Sequence, residues 1–204
     1  MRLGPRLLLA LALALALVLA AGSESALAQS IEIASDLAGT IHEGAVLPGT
    51  TPTVYILVRT GGCVSDGITG AEFWVSGLPA SWITIVTPNP ANAVALGNPF
   101  ATVPPLRANI AFPTCMPPDG NGMVWLYSVV VIPTNIVGDA CLTPEVAIPP
   151  SNLHYTTPIL TWCNWGDGVC PAAGIPFLMN PVTGGCVVAV ESVTWGAVKH
   201  LFGE

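Results

Sequence analysis

The chain has 204 residues, a formal net charge of −7 and only 8% charged residues against 52% hydrophobic ones. So acidic a chain lacks the clustered Lys and Arg that nucleic acid and anionic membrane surfaces require, and both are poor partners for it.

Arg2 and Arg6 open the chain, an unbroken Leu/Ala-rich run follows from Leu7 to Ala21, and Ala26-Leu27-Ala28 supplies small residues. Basic end, apolar centre and small-residue cleavage site make a secretory signal peptide over residues 1–28, cut between Ala28 and Gln29. The run is shorter than the roughly 20 residues a spanning helix needs, which argues against an uncleaved anchor. The mature chain, Gln29 to Glu204, keeps only Arg59, Arg107 and Lys199 as cations. No Cys stands at the cut to carry a lipid. The expected location is outside the cytoplasm: secreted, at the cell surface or in the periplasm, with no membrane span after cleavage.

Short β-branched and aromatic runs then recur. Strands are expected near Ile31–Ser35, Thr53–Thr60, Ile68–Ser76, Trp82–Thr87, Arg107–Phe112, Met123–Ile132, Thr143–Ile148, Pro158–Trp162 and Cys186–Val190. Several alternate with the two-residue period of a half-buried strand. Val54, Ile56 and Val58 oppose Tyr55, Leu57 and Arg59. Phe73 and Val75 oppose Glu72 and Trp74. Gly61-Gly62, Asp66-Gly67, Gly77-Leu78-Pro79, Asp119-Gly120-Asn121-Gly122, Pro149-Pro150 and Asp167-Gly168 supply the breaks, because Gly accepts positive φ and Pro cannot donate to a ladder. The fold class is therefore all-β: a two-sheet β-sandwich, jelly-roll or immunoglobulin-like, over residues 29–190. Residues 191–204 form a tail. There Thr194 can cap, Gly203 can stop, and Trp195, Val198, Leu201 and Phe202 share one face of a short helix. That face is where contacts holding the protein at a surface are expected.

Six cysteines follow the cut: Cys63, Cys115, Cys141, Cys163, Cys170 and Cys186. An even number in an exported chain implies three disulfides, each worth about 2–4 kcal/mol, and spacing alone does not choose their pairing. No C-x-x-C pair and no neighbouring His supports zinc.

Catalytic readings are thin. Asp66, Asp119, Asp139 and Asp167 sit in expected turns, where Asp bonds local backbone N–H groups. His42, His154 and His200 are scattered, and no Gly-x-Ser-x-Gly elbow accompanies them. Asp119-Gly120-Asn121-Gly122 is like the start of a calcium loop but lacks the later carboxylates, so no cofactor is expected and calcium is the minor alternative. Trp74, Trp162 and Trp165 are the candidates for a sugar-stacking platform. Trp82 and Trp125 are expected in the core.

The stretch Pro48-Gly49-Thr50-Thr51-Pro52-Thr53-Val54-Tyr55-Ile56-Leu57-Val58, with Gly67-Ile68-Thr69-Gly70-Ala71-Glu72-Phe73-Trp74-Val75, resembles the opening of cohesin-like domains. The resemblance covers Ile31 to Ile148 in strand order. It implies a jelly-roll sandwich without enzyme activity that binds protein partners. The six cysteines depart from the family pattern. Its strand order would bring Cys63 to Cys141 and leave Cys115 at the opposite end. Cys163 and Cys170 would then close a small loop, or one of them would reach Cys186. The tail from Trp195-Gly196-Ala197-Val198-Lys199 to Leu201-Phe202 resembles short tails on secreted bacterial proteins. The expected function is a non-enzymatic interaction or structural domain, with a protein partner or self-association. A carbohydrate-binding module is the alternative, and a hydrolase comes third.

Overall fold

The computed structural model describes residues 29–90, 93–163, 168–181 and 186. The expected leader, Trp165, Asp167, the expected strand Cys186–Val190 apart from Cys186, and the tail with Trp195, Val198, Leu201, Phe202 and its expected helix lie outside the described residues. The strands, in chain order, are β1 (Ser30–Ala34), β2 (Glu43–Gly44), β3 (Thr53–Arg59), β4 (Ile68–Ser76), β5 (Ile83–Pro88), β6 (Val94–Gly97), β7 (Ala108–Met116), β8 (Met123–Ile132), β9 (Ala140–Glu145), β10 (Ile159–Trp162), β11 (Val169–Pro171), β12 (Ala173–Ile175) and β13 (Phe177–Met179). No helix among the described residues is long and apolar enough to cross a membrane.

Two sheets result. The first runs β12-β1-β3-β8-β5. The second runs β11-β10-β4-β9-β13-β2, and β7 also pairs with β4 and carries β6 on its far side. Neighbours are antiparallel except β1 with β12 and β13 with β2. The alternation read from the sequence decides which side chains meet between the sheets. Val54, Ile56 and Val58 point inward from β3, and Phe73 and Val75 from β4, into one core with Leu126, Val129 and Val131 of β8. Tyr55 and Leu57 point outward and pack with Ala34, Met123 and Trp125 in a smaller cluster. Trp125 is therefore half-buried on the outer face and not in the main core as expected. The register shift between Ile56 and Leu57, where β3 meets β8, accounts for its side. Trp82 is buried, with its indole N–H donating to Asn135 Oδ1 at 2.9 Å.

The seven long strands lie where periodicity put them, with β7 and β9 shifted by a few residues. The short strands β2, β6, β11, β12 and β13 were not expected. Each has two to four residues, too few for a period to register. Gly77 ends β4 with φ of 82°, and a Cβ there would run into the Cys141 carbonyl, so the turn requires glycine.

The disulfide pairing corrects the expectation. Cys63 bonds Cys170 (Cα–Cα 6.6 Å), Cys115 bonds Cys163 (5.1 Å) and Cys141 bonds Cys186 (5.6 Å). Cys63 does not reach Cys141 because β4 separates them. Cys63 lies in the single 3-10 turn Gly62–Val64 before Ile68, whereas Cys141 lies beside the strand's other end, where Ser76 pairs with Thr143. Those ends are about 25–30 Å apart at the usual rise per residue. Cys115 is at the Cys63 end, since Met116 pairs with Ile68. Trp162 also pairs with Ile68, which brings Cys163 to Cys115.

Tyr127 marks the centre of the core, edge-on to Phe73 with ring centroids 6.1 Å apart at 71°. Its hydroxyl has no hydrogen-bond partner among the described residues, and burial pushes its pKa up to about 12. Removing a buried hydroxyl that bonds nothing is near neutral or stabilising. Tyr127→Phe should leave the melting temperature at pH 7 unchanged or raise it. The folded state resists ionisation, so the parent should lose stability as pH rises from 10 toward 12, and Tyr127→Phe should not share that loss. A marked drop in melting temperature at pH 7 would show that the hydroxyl has a partner.

Candidate functional site

The outer face of the second sheet is built around β4. Outward positions on β4 are Gly70, Glu72, Trp74 and Ser76, alternating with the core residues. β10 lies on one side and β7 on the other, with β6 beyond. Glu72 stands opposite Ile159 and Asn109, and Asn109 stands opposite Leu96. One row along, Gly70 faces Thr161 and Ala111, and Ala111 faces Val94. Glycine at 70 and alanine at 111 leave this row without bulk. The connection from β9 to β10 then passes over the sheet at Ser151.

The result is a hollow of about 440 Å³ lined by Gly70, Glu72, Asn109, Ser151, Ile159 and Thr161 among others. Glu72 is only 6% exposed. The Ser151 backbone N–H donates to its Oε1 at 2.8 Å. The other oxygen, Oε2, has no hydrogen-bond partner, and no cation lies within ion-pair distance, among the described residues. Oε2 is still open to water in the hollow, where an incoming cation would meet it. The chain has little to pair it with: Arg59 is committed to Glu32 at 2.6 and 3.0 Å. On the adjoining β6, Val94 and Leu96 stand opposite Ala111 and Asn109 and are 60% and 62% exposed. The arrangement suits a cationic head on an apolar stem.

The residues singled out earlier are dispersed. Trp74 is half-buried on the same face, two positions beyond Glu72, and its indole N–H donates to the Ala101 carbonyl at 2.9 Å. Trp162 is half-buried at the end of β10, paired with Ile68, and its ring nitrogen is buried without a partner among the described residues. Six positions of β4 separate the two, about 20 Å along the strand, so they form no common platform. Asp119 behaves as a turn residue: its Oδ1 accepts from the N–H groups of Asn121 (2.8 Å) and Met123 (2.9 Å). His42 packs between the carbonyls of Ile33 (2.9 Å) and Gly39 (3.1 Å), and the His154 backbone N–H donates to Asn152. Among the described residues no group of three His, Cys, Asp or Glu is placed to hold a metal. A second hollow of about 240 Å³ lies on the other sheet, beside Leu37, Asn89, Met116, Asp119 and Trp125.

Sequence reasoning placed Glu72 outward but gave it no role. An acid facing away from the core reads as solvated. What changes its meaning is the crossing at Ser151, whose passage over β4 no local pattern announces.

These features define a two-sheet β-sandwich stapled by three disulfides. The fold is cohesin-like, as the Pro48–Val75 resemblance implied. It is similar to the cohesin module of a family 33 glycoside hydrolase from Clostridium perfringens, with a TM-score of 0.51 and 12% identity over 76% of this chain and 98% of that one. It is also similar to the sixth cohesin of scaffoldin B from Acetivibrio cellulolyticus, solved with a dockerin (TM-score 0.46, 14% identity, 76% of this chain and 99% of that one). A third is the non-cellulosomal cohesin from Archaeoglobus fulgidus (TM-score 0.44, 14% identity, 76% and 92%). At these identities the likeness speaks for the fold alone. No family model and no curated protein matches the sequence.

Proposed function

We propose that the mature chain is an exported, non-enzymatic interaction domain that holds a protein partner on the outer face of its second sheet. The observation that carries this reading is Glu72, a carboxylate 6% exposed whose Oε2 opens into the hollow, with exposed Val94 and Leu96 on the adjoining β6 opposite Ala111 and Asn109. The partner would offer a Lys or Arg side chain, with its charge on Glu72 and its methylenes against Ile159. The cohesin-like fold is in keeping with such a role. The leader and the disulfides support export.

The test uses the oxidised mature protein and amide-proton NMR. Nα-acetyl-lysine amide and Nα-acetyl-arginine amide are expected to give saturable shifts at Gly70, Glu72, Asn109 and Ser151, and the norleucine analogue none. Glu72→Gln keeps an acceptor for Ser151 and should abolish those shifts while the domain stays folded. Equal shifts with norleucine, or full binding by Glu72→Gln, would sink the reading.

A second reading is sugar binding. It rests on Trp74, whose N–H is occupied by Ala101 while the ring stays partly exposed beside the hollow. Trp74→Ala would then remove retention on polysaccharide columns, which Glu72→Gln would leave intact.

A further inference from the structure

Resting on the function proposed above, we infer that the Glu72 hollow is built for the ammonium of a lysine and discriminates against the guanidinium of an arginine. Three side-chain acceptors line it. Glu72 presents one open oxygen, Oε2, because Oε1 already accepts from the Ser151 N–H. Asn109 stands directly across from Glu72 on β7, which sets their Cβ atoms about 4.5–5.5 Å apart on one face. Thr161 on β10 stands across from Gly70. Its hydroxyl oxygen lies 3.6 Å from where a Cβ on residue 70 would be, so it sits beside the space that the glycine leaves open. The side chains of Asn109 and Thr161 are half-buried and make no hydrogen bond among the described residues, and neither is sealed from solvent.

Donor arithmetic decides between the two cations. An ammonium is compact and strongly hydrated and carries three donors, so it leaves water readily only where three acceptors replace its shell. Glu72 Oε2, Asn109 Oδ1 and Thr161 Oγ1 are three such acceptors, and the first brings the opposite charge. A guanidinium carries five donors in a flat fork and is best met by two free oxygens of one carboxylate. Here the Ser151 N–H holds one of those two at 2.8 Å. Ala111, Ile159 and Val169 also line the hollow, and their side chains accept nothing. An arginine entering it would therefore lose water from more N–H groups than the hollow can satisfy.

The test is amide-proton NMR titration of the oxidised mature protein with three probes of equal charge: Nα-acetyl-lysine amide, its Nε-trimethyl form, and Nα-acetyl-arginine amide. Lysine is expected to bind roughly tenfold more tightly than arginine, or better. The trimethyl probe keeps the charge and the stem but has no N–H to donate at its head, and should lose most of the affinity. Asn109→Leu and Thr161→Val each remove one acceptor at nearly constant size. Each should weaken lysine several-fold and leave arginine almost unchanged, and the double variant should bring the two to parity. Melting temperatures near the parent's establish that the variants are folded, and the comparison of probes on the parent needs no variant. Arginine binding as tightly as lysine, trimethyl-lysine matching lysine, or a folded double variant that keeps the preference would overturn the inference and leave the Glu72 reading standing. Saturable shifts with none of the probes would overturn both.

Discussion

Replacing Arg59 by Met should cost the domain about 3–5 kcal/mol, because it takes the guanidinium from a buried carboxylate. Glu32 is fully buried on β1 and accepts from Arg59 Nε at 2.6 Å, Arg59 Nη2 at 3.0 Å and Ser30 Oγ at 2.6 Å. The hydrogen bond to Glu32 holds the Arg59 guanidinium protonated more firmly than usual. Arg59 Nη2 also donates to the Gly39 carbonyl at 3.0 Å, which ties residues 35–42 to β3. His42 stands 3.8 Å from Glu32 on the same side. Asp36 holds that segment from its start. Burial is the largest single influence on its pKa and raises it, but the bonds from Thr40 and Ile41 together outweigh this and set it below the usual carboxylate value. Removing only the cation thus strips Glu32 of its fork and frees the strap. Arg59→Lys should lose less, because it keeps the charge but not the two parallel bonds. Glu32→Gln combined with Arg59→Met should recover much of the loss, since no buried charge then remains. Urea unfolding of the four proteins measures all of this. A loss under about 1 kcal/mol in Arg59→Met would show that water already shares the pair.

How far the sequence carried this result is clearest in β4. Its alternation placed Phe73 and Val75 inside and Glu72 and Trp74 outside, and the structure agrees. The same period-two logic located β1, β3, β5 and β8 to within a residue or so. It failed where its signal is absent. β11, β12 and β13 have three residues each and follow one another through Pro and Gly, so they read as loop. Their pairing is decided by distant partners: Ser30 for Ala173, Leu142 for Phe177. The hollow was invisible for the same reason. Glu72 was legible as outward, but Ser151, 79 positions on, determines that it is enclosed. The cysteines likewise showed their number and not their partners, because pairing depends on which strand ends meet in space.

Removing the Cys63–Cys170 bridge should be the most damaging of the three disulfide deletions. It closes a sequence separation of 107, against 48 for Cys115–Cys163 and 45 for Cys141–Cys186. If the bridge acts by restricting the unfolded chain, the longer loop adds about 0.7 kcal/mol over either shorter one, on a typical value of about 2–4 kcal/mol. Packing adds to this. Cys170 is buried in the main core on β11, and Cys63 packs against that core from the turn after β3. The bridge therefore ties the end of the first sheet to the β10–β11 edge of the second, where no backbone ladder joins them. The double variant Cys63→Ala with Cys170→Ala avoids a leftover thiol. Its urea midpoint should fall below those of the corresponding Cys115/Cys163 and Cys141/Cys186 doubles. Non-reducing peptide mapping of the parent should recover Cys63 linked to Cys170 and Cys141 linked to Cys186. The ranking separates two causes. If loop entropy dominates, the Cys115/Cys163 and Cys141/Cys186 doubles lose nearly the same amount. If the tie between sheets dominates, the Cys63/Cys170 double alone falls far below them, and its β10–β11 amides exchange fastest.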